Sequence, residues 1–120
     1  MWLRKNDSGL RDLTGETDGV ASGRLLIRRR EGVVTLWMDE LVLTGSGTVS
    51  LPRLPSGLRP WLRARGVWLP STSSAVGGSI MCSTAGYLSS YSTAPGLAMS
   101  ARVEWETVDA IPSTWPGVAV

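Results

Sequence analysis

From Met99 to Glu106 the chain changes side at every step. Met99, Ala101, Val103 and Trp105 fall on one side of an extended backbone, and Ser100, Arg102, Glu104 and Glu106 on the other. A period of two is that of a strand buried on one face and wet on the other. No window of twelve residues elsewhere carries a 3.6-residue apolar period, so amphipathic helices have no pattern to form on. Fourteen glycines and seven prolines add frequent turns. Together these predict an all-β fold, an antiparallel β-sandwich or jelly-roll-like domain of about six to eight short strands with almost no helix.

Other segments fit that frame. "GRLLIRRR" and "VVTLWMDELVL" flank Glu31-Gly32 and predict a hairpin, with glycine supplying the positive φ of the turn. In the second run Val34, Leu36 and Met38 share one face, and Val33, Thr35 and Trp37 the other. Both faces are partly apolar, which predicts packing inside a sandwich or against another subunit. "GVWLP" and "SIMCSTAGYLSSYST" supply further strands, with "STSSAVGGS" as a loop between them. Residues 1–20 are polar and glycine-punctuated and are expected to form a lead-in arm. Residues 21–109 form the domain, and residues 110–120, broken by Pro112 and Pro116, an extended tail.

The segment "LPRLPSGLRPWLRARG" (residues 51–66) holds three prolines and four arginines. Pro52 and Pro55 cannot donate to a sheet ladder, Ser56-Gly57 favours a turn, and Pro60 fixes the exit. This predicts a structural corner at Pro55, Gly57, Arg59 and Pro60, with Arg59 bound to a carboxylate or a backbone carbonyl. A nucleic-acid strip is not expected.

Composition narrows the chemistry. The 120-residue chain has no histidine, which removes the commonest general base and metal ligand. Its one cysteine, Cys82, excludes an intrachain disulfide and a zinc-type cluster, and is expected in a buried strand. Glu104 and Glu106 lie about 7 Å apart on one strand face, a spacing two carboxylates could use on a sugar, but a solvated face explains them better. The serines have no base to activate them. No enzyme, cofactor or metal site is expected. Eleven of twelve cationic residues are arginine, a bias that fits a GC-rich genome, and the net charge is only +2. On a strand, Arg28-Arg29-Arg30 splits between two faces and makes no continuous basic strip, so surface salt-bridging is expected rather than nucleic-acid contact. The start "MWLRKNDSG" has no apolar core of a leader, and no run reaches transmembrane length, so neither a signal peptide nor membrane insertion is expected. Six tryptophans and two tyrosines with no phenylalanine leave Trp61, Trp68, Tyr87 and Tyr91 as candidate ligand contacts, since Trp and Tyr offer large area at low entropy cost.

"LPSGLRP" resembles the Leu-Pro-x-Gly-aromatic/Leu-Arg-Pro motif of receptor-binding tips and minor tail proteins of tailed bacteriophages, especially those infecting GC-rich actinobacterial hosts. "SGLRDLT" is similar to an opening Gly-Trp-Arg-Asp segment, with Leu10 where Trp is usual. "GRLLIRRREGVVTLWMDEL" is similar to the first hairpin and "GLAMSARVEWET" to the last strand, so the likeness spans roughly residues 8–107. It implies a virion protein made in the host cytoplasm: an all-β minor tail or fibre-tip domain, assembled as a homotrimer with other tail proteins and binding host-surface glycan or protein. The alternative is a capsid decoration protein that binds and stabilises the phage shell.

Overall fold

The computed structural model describes residues 7–120. Nine strands follow one another among them: β1 (Arg11–Asp12), β2 (Val20–Arg30), β3 (Val33–Leu43), β4 (Gly47–Ser50), β5 (Ala64–Pro70), β6 (Gly78–Cys82), β7 (Leu88–Thr93), β8 (Ala98–Glu106) and β9 (Val118–Ala119). The one helical element among the described residues is a three-residue 3₁₀ turn at Thr14–Glu16. The fold is all-β and every strand pairing is antiparallel. The order across the sheet is β4-β7-β6-β5-β8-β3-β2-β1-β9, a single nine-stranded sheet and not two separate ones. It curls at β5, whose Ala64–Trp68 portion pairs with β6 while Leu69 and Pro70 pair with β8.

Curling lets one surface of the sheet bury itself. Leu25 and Ile27 of β2, Val34, Leu36 and Met38 of β3, and Met99, Val103 and Trp105 of β8 share one core with Ala64, Trp68, Ile80, Cys82 and Leu88 of the other half. Burial pushes the Cys82 thiol up to about 12, with the Arg59 charge acting weakly the other way, so the thiol is protonated at neutral pH.

Midway along β3 the alternation slips between Met38 and Leu41, with Glu40 at φ 49°. This bulge returns Leu41 and Leu43 to the core. Gly23 faces it at φ 80°, and a Cβ there would overlap the Glu40 carbonyl, so only glycine fits. Asp39-Glu40 therefore lies within a strand, not at its end. In the β2–β3 turn the positive φ falls on Glu31 (55°) and not on the glycine expected to carry it.

The expected arm and tail are parts of the sheet. β1 pairs with both β2 and β9, and Leu13 is buried in the core. Arg11 fastens the C-terminal segment by donating to the carbonyls of Trp115, Pro116 and Gly117. The first six residues of the lead-in lie outside the described ones.

Residues 51–63 close the end of the curl where β2, β6 and β8 finish. Leu51, Leu54 and Leu58 join the core, and Pro60 is buried while Pro55 is exposed. The Leu58 N–H donates to Pro55 O, closing a turn in which Gly57 has φ 108° and packs on Pro112. Arg59 Nε donates to Leu54 O at 2.9 Å, a backbone carbonyl. The Asp109 carboxylate accepts from the Gly57 and Arg59 N–H groups, and Trp105 Nε1 donates to Leu58 O.

The corner's other anchor is Arg29, only 5% exposed, on the inward row with Val34 and Trp105. Its guanidinium donates to the carbonyls of Glu31, Gly57, Asp109 and, at 3.4 Å, Ala110. Burial pulls the Arg29 pKa below its usual value, and the Asp109 charge opposes that shift. Replacing Arg29 with Met leaves those carbonyls unpaired, and urea unfolding should show a loss of about 3 kcal/mol. Arg29→Lys should not restore it, because an ammonium lacks the planar fork that reaches several acceptors at once.

Candidate functional site

With the inward surface taken up by the core, any ligand must meet the outward one. It has two parts. On the larger half, rows across the strands run Leu26–Trp37–Arg102 and Arg28–Thr35–Glu104. Trp37 is half-buried at the centre and lines a shallow cavity of about 700 Å³ with Leu10, Leu26, Arg28, Asp39 and Ser100.

Four arginines around Trp37 each meet a carboxylate, two of them sharing one. Arg24 meets Asp39 at 2.8 Å, Arg28 and Arg30 meet Asp7 at 2.8 and 3.4 Å, and Arg102 meets Glu104 at 3.7 Å. Arg28 and Arg30 thus share the outward face while Arg29 turns inward. The hydrogen bond from Arg28 holds the Asp7 carboxyl well below its ordinary 3.8, against burial, which acts the other way.

On the smaller half the rows are Arg65–Met81–Ser89 and Val67–Ser79–Tyr91. One row nearer the corner, Tyr87 and Ser83 bond to each other. Ser89 and Tyr91 therefore share one face of β7, and Tyr87, the residue before the strand begins, continues that row, with the tyrosines roughly 13 Å apart. Tyr87 is exposed, and the Arg53 guanidinium stacks on its ring at 4.4 Å while its Nε donates to Ala85 O. Tyr91 lines a groove of about 360 Å³ with Arg63, Arg65, Ser79 and Met81.

The four aromatic candidates do not form one site. Tyr87 and Tyr91 come together as described. Trp61 is exposed but lines a separate hollow with Gly32, Val33, Glu106, Thr107 and Val108. Trp68 corrects the expectation outright: it is fully buried against Gly77 and Gly78, its Nε1 donating to Tyr91 O, so no face of it is open to a ligand. Sequence reasoning left Arg53, Arg63 and Arg65 out of the site. The signal for them was present, since no Asp or Glu occurs between Leu41 and Val103.

The arrangement offers stacking, hydrogen bonding and charge, which suits binding. Glu104 belongs to a salt-bridged, solvated face, accepting from Thr35 Oγ1 and lying near Arg102. Among the described residues no group of three or more His, Cys, Asp or Glu side chains is placed to hold a metal ion. No helix among them is long and apolar enough to cross a membrane. Comparison with known protein families and with curated proteins found no match.

The Asp7 cluster gives a pH signature. A carboxyl held below its unfolded value stabilises the fold fully above about pH 4 and loses that contribution as pH falls towards the folded value. Asp7→Asn should cost about 1 kcal/mol at pH 7, because Arg30 is half-exposed and solvent screens the pair. In urea titrations the gap from the wild type should close progressively below about pH 4.

Proposed function

We propose that this chain is a virion structural protein, a minor tail or fibre-tip domain through which a tailed phage attaches to its host surface. The observation that carries this reading is the outward row of Tyr87, Ser89 and Tyr91, exposed at Tyr87 and half-buried at Ser89 and Tyr91, which sets aromatic and hydroxyl groups along β7 and the residue before it. The Leu-Pro-x-Gly-x-Arg-Pro resemblance supports it, since that motif is the corner that caps the core beside this face. The all-β architecture agrees, and function is expected from adhesion rather than from chemistry.

Attachment modules act as assemblies, and the Trp37 face is the surface we assign to the homotrimer. A half-buried tryptophan ringed by paired charges has the form of an interface anchor with a polar rim.

Two measurements test these assignments. Labelled protein should bind intact actinobacterial host cells, and Tyr87→Ala with Tyr91→Ala should reduce binding at least tenfold. Binding to expanded capsids with no binding to cells would instead identify a decoration protein. Light scattering on size-exclusion chromatography should give a trimer at micromolar concentration, and Trp37→Ala should shift it to monomer, as loss of an anchor worth about 2 kcal/mol requires. A monomeric wild type would overturn the trimer.

A further inference from the structure

Resting on the attachment reading, we infer that the outward face of β5, β6 and β7 is a site for an acidic saccharide, a glycan bearing carboxylate or phosphate groups. The first ground is the partition of charge along the chain. From Leu41 to Val103 there are five arginines (Arg53, Arg59, Arg63, Arg65 and Arg102) and no carboxylate, a formal +5 within a protein of net +2. The remainder therefore carries −3. All ten acidic residues lie outside that span.

The second ground is how the arginines are used. On the Trp37 face Arg24, Arg28, Arg30 and Arg102 each have a carboxylate within 4 Å. Arg63 and Arg65 are exposed and have no ion pair or side-chain hydrogen bond among the described residues. Arg65 lies on β5 and Arg63 just before its first residue, and both line the rim of the one groove. A planar guanidinium matches a carboxylate or phosphate through two parallel N–H···O bonds. Arg53 brings a third positive charge over Tyr87.

The groups between the charges select sugar over other polyanions. Ser79 and Ser89 present hydroxyls beside Met81 and Tyr91, and the rings of Tyr91 on β7 and Tyr87 just before it offer flat surfaces for the C–H faces of successive sugar units. Nucleic-acid affinity instead accumulates from many phosphate contacts. Three arginines would give a salt slope of only about −2.

The test is direct binding of the full chain, by calorimetry, to five probes: alginate oligomers (carboxylate), phosphomannan (phosphate), neutral dextran, polyglutamate and a twelve-residue oligothymidylate. Alginate or phosphomannan should bind at least tenfold more tightly than dextran and polyglutamate, and whichever binds names the anionic group. Arg63→Gln with Arg65→Gln should weaken that binding at least tenfold, Tyr91→Ala at least fivefold, and Arg24→Gln on the opposite face should change nothing. These side chains are solvent-facing, and unchanged unfolding midpoints will confirm the fold of each variant. Equal binding of dextran or polyglutamate, tighter binding of the oligothymidylate, or indifference to the arginine pair overturns the inference. If both acidic glycans fail while cells are still bound through Tyr87 and Tyr91, this proposal falls and the attachment reading stands. If an acidic glycan binds as described but host cells do not, the site stands and the attachment reading falls.

Discussion

A single guanidinium with almost no access to water holds together three stretches that are far apart in sequence. Arg29 is committed to the core side of β2, where a charge is tolerated only if its donors are satisfied. It satisfies them on the carbonyls of the β2–β3 turn, the 51–63 corner and the segment after β8. Asp109 completes the arrangement from the other side by accepting two corner N–H groups. The three leucines that plug the core at this end are thus held by polar contacts, and irregular backbone is packed as firmly as the strands.

This economy shapes what remains outside. Because the inward rows of all the long strands meet in one core, the outward rows are free to differ. Those of the larger half balance their charges around Trp37. Those of the smaller half leave Arg63 and Arg65 without an ion pair among the described residues. Since β5 belongs to both halves, changing partners after Trp68, the two surfaces are joined rigidly yet point in different directions.

Much of this was legible in the residues. The alternation in β8 placed Met99, Val103 and Trp105 inward as observed, and the paired runs around Glu31-Gly32 form the central hairpin. Strands β4 and β9 escaped notice because two to four residues are too few to display a period. Their strand character comes from neighbours that offer unpaired backbone. Trp68 was misjudged although its surroundings held the answer: Arg65 and Val67 face out, so Trp68 must face in. The left-handed residue at Glu31 is a different case. Sequence favours glycine for such a position, and tertiary pairing of β2 with β3 overrides that preference. The site itself was half visible. The tyrosines drew attention through their type, whereas the arginines mattered through an absence of carboxylates that only a reading of sixty-three consecutive residues reveals.

The sheet is bounded by a four-residue strand at one margin and a two-residue strand at the other. Neither margin offers enough free backbone to template a long added strand, which is how natural β-proteins avoid joining margin to margin into fibrils. Pairing of one copy's sheet margin with another's is therefore disfavoured by the lengths of these two strands.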